Sequence, residues 1–338
     1  MVKTSARLLL IASATLLATP GVASPEPPFA EREVAFQSLG VLLRGTLLLP
    51  PATAPRGGGV VLLSGSRSGP RGELRSFAER FAAAGVAALI FDKRGSGQSE
   101  GSWLTASLDD LADDAIAAAA LLKGQPEVDA QRVGVWGISQ AGWVIPRALA
   151  KNPNSFAFAI VITGGGIRPI ELERFDYRAA LDHLGVDVRA KREGLSLVEM
   201  YFGYLHGSVR RADLEVRLAR ARSKPWYSAV DVSRVMPDES ARPKWSWVAD
   251  YDPGPDIERI QVPALIVLGG ADRHQVAVEA EKQWRSALAR AENRDAVVAF
   301  FLAAGHGITV GGSHESPHHQ FAPGYLEMVV AWLAAHAR

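Results

Sequence analysis

The sequence predicts an α/β fold, a mostly parallel sheet covered by helices on both faces. Two observations carry this. From Val60 onward, short apolar runs alternate with helix-length amphipathic segments, the signature of repeated strand–helix units. Three residues able to act together chemically, Ser139, Asp272 and His306, each fall just past the end of such a run. Ligands of open parallel sheets bind outside the carboxyl ends of the strands, so this placement supports the architecture and locates a site within it.

Taken in order, the elements begin with an export-like segment. Lys3 and Arg7 precede an apolar stretch at 8–18 and the small-residue run Gly21-Val22-Ala23-Ser24, the layout of a secretory signal peptide over 1–24. The stretch is shorter than the roughly 20 residues that a membrane-spanning helix needs. With this segment removed, no stable membrane insertion is expected. Removing Lys3 and Arg7 from 37 basic residues leaves 35 against 36 acidic ones, a net charge of −1. No basic stripe stands out, so nucleic acid is not an expected partner. The absence of cysteine excludes a lipoprotein anchor, a disulfide framework and a thiolate metal site. A chain of 338 residues, 48% of them hydrophobic, can be stable from its core alone.

Residues 25–28 form a proline-rich linker, and residues 33–38 and 41–50 flank a Leu39-Gly40 turn, which predicts an opening hairpin. Helices are predicted over 72–84, 107–123, 140–150, 276–288 and 323–336. Pro146 lies inside the third, where it removes a backbone hydrogen bond at a cost of about 3 kcal/mol, and a kink is expected there. Between Gly165 and Val262 nearly a hundred residues fit no single strand–helix unit.

The most informative stretch is Val133-Gly134-Val135-Trp136-Gly137-Ile138-Ser139-Gln140-Ala141-Gly142. A β-branched run enters a small-residue turn and then a helix, the layout that exposes a serine hydroxyl above a sheet. Gly137 and Ala141 sit two positions either side of Ser139, where a larger side chain would strike a neighbouring element. Downstream, 264–272 reads as a buried strand presenting Asp272, and 296–307 as a strand ending at His306 between two glycines. The order serine, aspartate, histidine, each at a strand end, resembles the α/β-hydrolase superfamily, and the resemblance covers nearly all of the chain after residue 24.

The resemblance implies a serine hydrolase. Ser139 would be the nucleophile, His306 its general base, and Asp272 the residue that orients and stabilises the imidazole. Backbone N–H groups of Ser66, in Ser64-Gly65-Ser66, and of Gln140 would bind the oxyanion. The loop Asp92-Lys93-Arg94-Gly95-Ser96-Gly97-Gln98-Ser99 is similar to one that follows the fourth strand in many relatives. Asp92 and Arg94 are read as structural, holding it by charge-assisted hydrogen bonds. The irregular stretch is read as an inserted helical cap, 167–249, on a core of 25–166 and 250–338. Its aromatic residues are expected mainly to pack the cap itself.

Each position has an alternative. Asp250 or Asp252 would be the acid if Asp272 were an ordinary turn residue, but both precede the strand that begins near Val262. His274, His314, His318 and His319 compete with His306. The histidines of 311–320 sit among Gly, Ser and Pro and read as a solvated loop rather than a metal site. No metal or organic cofactor is expected. The leading function is cleavage of carboxylic esters through an acyl-enzyme, with a small-molecule ester or a short peptide as substrate. The alternative is a serine peptidase of aminopeptidase or dipeptidyl-peptidase type, for which Glu171, Glu173 or Asp176 would bind a free ammonium group. A non-catalytic small-molecule binder on the same fold is the third reading.

Overall fold

In the computed structural model, which describes residues 29–311 and 320–338, the chain opens with the predicted hairpin. β1 (Ala30–Ser38) and β2 (Val41–Leu49) pair antiparallel, and both turn residues, Leu39 and Gly40, have positive φ, as a two-residue hairpin requires. The expected signal segment, together with His314, His318 and His319, lies outside the described residues.

β3 (Gly57–Leu63), β4 (Ala87–Phe91), β5 (Val128–Ile138), β6 (Ala159–Ile162), β7 (Ala264–Gly269) and β8 (Ala296–Phe301) complete the sheet. Its order is β1-β2-β4-β3-β5-β6-β7-β8. Every pairing from β4 to β8 is parallel, while β2 meets β4 antiparallel. The chain runs from β3 out to β4 and then returns past β3 to β5. That reversal opens a crevice at the carboxyl ends of β3 and β5.

Helices cover both faces because consecutive strand residues point to opposite sides. Val61, Leu63, Leu89 and Val135 pack with α2 (Leu108–Lys123) and α3 (Ala141–Lys151) through Leu111, Ala115 and Ile145. Their neighbours Val60, Leu62, Ile90 and Trp136 pack on the other face with Phe77 and Phe81 of α1 (Arg75–Ala83). Each such fully buried side chain contributes about 1.5–3 kcal/mol. α2 begins with a capping box in which the Ser107 side chain accepts from the Asp110 N–H and Asp110 accepts from the Ser107 N–H, satisfying two end donors at once. α3 does not stop at Pro146 but continues as one helix to Lys151. The carbonyl that Pro146 cannot serve, that of Gly142, lies tightly against Gly165, where a Cβ would collide with it.

Between β6 and β7 the chain is helical. α4 (Pro169–His183), α5 (Val188–His206) and α6 (Arg211–Ala221) are followed by three four-residue helices, α7 (Arg242–Trp245), α8 (Trp247–Asp250) and α9 (Gly254–Ile257). These helices bury an apolar cluster of their own, with Leu181, Leu197, Tyr201, Phe202, Leu214 and Trp226 at its centre. Tyr204 is buried there too, its hydroxyl donating to the Pro237 carbonyl at 2.9 Å. Lys244 of α7 reaches Asp110 of α2 at 3.0 Å, joining this segment to the sheet-bearing part. α10 (Ala277–Arg290) and α11 (Tyr325–Ala337) then cover one face each, through Trp284 and through Tyr325 and Leu333. Among the described residues no helix is long and apolar enough to cross a membrane.

Candidate active site

The site is built around the turn between β5 and α3. Ser139 has φ of +57°, a left-handed conformation that costs a non-glycine residue about 1–2 kcal/mol. It is held by its surroundings. Its N–H donates to Ile162 at 2.9 Å, and its carbonyl accepts from the Gly142 N–H at 2.8 Å. A Cβ on Gly137 would strike the Ala141 methyl, and one on Gly164 would strike the Ser139 carbonyl oxygen. The small residues flanking the serine are thus required by contact, and Ala141 is as large as that position tolerates. A strained residue held by tight packing is typical of functional sites.

Asp272 follows β7 and His306 follows β8. His306 Nδ1 lies 2.9 Å from Asp272 Oδ2, and the carboxylate has no exposed side-chain surface. The other oxygen of Asp272 accepts the His274 N–H at 2.8 Å, so the carboxylate is fixed in orientation. Next to His306, the Gly307 N–H donates to Thr163 Oγ1 at 3.2 Å. Thr163 adjoins Gly164, which packs on the Ser139 backbone. The histidine loop and the serine turn are therefore fastened to the same loop at the end of β6. The alternative acids are engaged elsewhere: Asp250 meets His206 at 2.7 Å, and Asp252 accepts the Gly254 N–H. His274 meets Asp176 of α4 at 3.2 Å and stands edge-on to His306, with ring centroids 5.4 Å apart.

The loop after β3 lies beside the serine. A Cβ built on Gly65 would be 3.7 Å from Ser139 Oγ, and Ser66, next in the chain, is exposed. This loop is tied to the one after β4. The Lys93 N–H donates to Gly69 O at 2.9 Å, and the Gly69 N–H to Ser96 Oγ at 3.0 Å. Lys93 Nζ donates to Gly65 O at 2.6 Å, to Arg67 O at 3.2 Å and to Gln140 Oε1 at 2.7 Å. Burial pushes this amine down to about 7, since desolvation disfavours the charged form. The sequence reading passed over Lys93, because nothing in its own position shows that its side chain turns inward. A cavity of about 30 Å³ lies among Ser64, Lys93, Asp114 and Gln140, large enough for one or two waters.

Asp92 and Arg94 hold that second loop as expected. Asp92 accepts from the backbone N–H groups of Arg71 at 2.7 Å and Gln98 at 2.9 Å. Arg94 makes a bidentate pair with Asp114 of α2 at 2.7 and 2.6 Å, both side chains buried. Of the three acidic residues considered on α4, Asp176 reaches the site through His274. Glu173 is a half-buried neighbour of Asp176 and Arg67. Desolvation, reinforced by the like charge of Asp176, raises its carboxyl to about 7, against the opposing pull of Arg67. Glu171 is exposed. Among the described residues no group of three or more His, Asp and Glu side chains is gathered as a metal site.

Comparison with known proteins agrees with this architecture. Residues 57–186 match the family described as "Serine aminopeptidase, S33". The "Quorum-quenching protein AidA" of Acinetobacter baumannii is 34% identical over 134 residues, which is 39% of this chain and 43% of that protein. An uncharacterized 31.7 kDa protein of the traX-finO intergenic region in Escherichia coli is 26% identical over 208 residues, 59% of this chain and 67% of that one. Among solved structures, the esterase Pf2001 of Pyrococcus furiosus superposes with a TM-score of 0.57 at 16% identity, over 95% of this chain and 98% of that one. With the sheet order and the serine turn after β5, these matches show that the chain has the α/β-hydrolase fold.

Proposed function

We propose that this protein is an exported serine hydrolase that cleaves carboxylic esters through an acyl-enzyme. The observation that carries the reading is the conjunction of a strained Ser139 at the β5–α3 turn with a shielded Asp272 paired to His306 and tied to the same loop. A serine hydroxyl is a poor nucleophile until a base takes its proton. His306 accepts that proton through Nε2 and returns it to the leaving alcohol, while Asp272 keeps Nδ1 protonated and stabilises the imidazolium. The N–H groups of Ser66 and Gln140 receive the developing oxyanion, each such donor being worth about 10²–10³ in rate. Water then attacks the acyl-enzyme by the same route in reverse. Export rests on the charge and hydropathy pattern of 1–24, and the helices from α4 to α8 act as a cap that shapes the acyl pocket.

A second reading, cleavage of short peptides at a free N-terminus, is favoured by one observation. Glu173 and Asp176 stand on α4 beside Arg67 and His274, where they would meet an ammonium group. The test compares p-nitrophenyl esters of increasing acyl length with aminoacyl and dipeptidyl p-nitroanilides, using the protein with and without Ser139→Ala. Ester turnover lost in the variant supports the esterase. Comparable anilide turnover moves the assignment to peptidase, and no turnover of either by folded protein removes both.

A further inference from the structure

We infer that Lys93 is a positioning residue of the oxyanion hole: its ammonium sets the direction of the Ser66 N–H and holds Gln140 against the same loop. The inference rests on the serine-hydrolase reading above and adds to it a pH-sensitive control over the site.

Lys93 Nζ lies within hydrogen-bond distance of three acceptors, Gly65 O, Arg67 O and Gln140 Oε1. In a planar trans peptide the C=O and the following N–H point in opposite directions. Drawing the Gly65 carbonyl toward Nζ therefore turns the Ser66 N–H away from Lys93. Gly65 itself lies against Ser139, its Cβ position 3.3 Å from the serine Cβ. The Arg67 carbonyl is held the same way, and Arg67 has φ of +69°, so the loop needs an external tie to keep this shape. Gln140 supplies the other oxyanion N–H from its backbone while its side chain accepts from the same ammonium. One side chain thus fixes both donors relative to each other.

Three acceptors require three N–H groups. An ammonium has three, whereas a neutral amine has two and a lone pair, which would face a carbonyl oxygen. The surrounding charges do little to hold the proton. Asp114 of α2 is committed to Arg94, Asp92 of the same loop faces Arg71, and Glu73, just before α1, adds only a coulombic pull. Burial outweighs them and brings the amine down to about 7. Raising the pH through and above this value removes the third donor and loosens the loop, so turnover falls on the alkaline side.

The experiment measures kcat and KM on a p-nitrophenyl ester from about pH 6 to about pH 9.5 for the wild type and for Lys93→Arg, Lys93→Met and Gln140→Glu. Labelling of Ser139 by a fluorophosphonate, with Ser139→Ala as control, is run beside it. The wild type should show an alkaline fall in kcat that Lys93→Arg lacks, because an arginine does not lose its proton in this range. Lys93→Met should lower the plateau of kcat by about tenfold or more, with KM little changed, since a displaced donor is lost mainly in the transition state. Gln140→Glu places an anion beside Nζ and should move the alkaline fall upward by about one pH unit or more. This last variant leaves Lys93 intact and so serves even where the lysine variants do not fold. A wild type with no alkaline fall, a fall unmoved in both Lys93→Arg and Gln140→Glu, or wild-type kcat in Lys93→Met, overturns the inference. Failure of wild-type Ser139 to label instead overturns the serine-hydrolase reading itself.

Discussion

His306 Nδ1 lies 2.9 Å from Asp272 Oδ2, and the carboxylate is fully shielded while the imidazole keeps 17% of its side-chain exposure. A dry carboxylate facing a partly open imidazole stabilises a positive ring. Replacing Asp272 with Asn keeps the shape but favours the wrong tautomer. We expect kcat on the best ester to fall by about 10³–10⁴-fold with KM nearly unchanged. A fall of less than tenfold would remove Asp272 from the proposed mechanism.

The strain at Ser139 gives a stability prediction independent of substrate. Ser139→Gly relieves the positive φ, whereas Ser139→Ala keeps it. Both variants should be inactive, but the glycine variant should be the more stable by about 1 kcal/mol. Thermal melts of the two, compared directly, check this, and equal midpoints would show that the turn carries no strain.

Gly137 and Ala141 should behave as a coupled pair. Gly137→Ala places a methyl on that of Ala141, with Ile145 Cδ1 and Leu63 Cβ also near, at 3.1 and 3.2 Å. We expect destabilisation of about 1–3 kcal/mol and loss of activity. Adding Ala141→Gly should recover part of both, with a coupling energy of about 1 kcal/mol. Additive effects in urea titrations would mean that the two side chains do not press on each other.

Glu173 predicts a pH effect whose sign follows from its raised carboxyl. The group sits at about 7 in the fold against an ordinary value of 4.5, so the folded chain holds this proton across that window while the unfolded chain releases it. Its contribution to stability is full below the ordinary value and is lost as pH rises through about 7. Glu173→Gln removes this loss. The variant should match the wild type at acid pH and exceed it by about 1 kcal/mol above neutrality, a figure reduced because the side chain is partly open to solvent. Urea midpoints on either side of the window test this. The same variant should spare ester turnover and impair any aminoacyl anilide turnover.

The strand–helix alternation, the hairpin and the long helical interruption were legible because each is a local pattern with its own period. The placement of Ser139, Asp272 and His306 just past strand ends was legible because the apolar runs lead to them. Other features depend on contacts between distant segments. Nothing around Arg94 indicates that Asp114, on a helix of mixed polarity, turns inward to meet it. Lys93 carries an ordinary surface residue's name between two residues of a recognisable motif, and only the approach of the Gly65 carbonyl and Gln140 shows its role. The expected kink at Pro146 was a local inference as well. The helix runs through that residue without a break, with the freed Gly142 carbonyl packed on Gly165, a contact that no rule of helix propensity contains.

The crowding at 164–166 has a consequence for how such a protein can diversify. A Cβ at Gly164 strikes Ser139, one at Gly165 strikes Gly142, and one at Gly166 comes within 2.6 Å of Trp284. Three successive positions beside the Ser139 turn therefore leave no room for a side chain. Libraries aimed at new substrates will find this floor closed and its members mostly unfolded. Asp176 and Glu173 of α4, beside His274 and Arg67, are only partly buried, so selection for a different acyl or leaving group should enrich changes there.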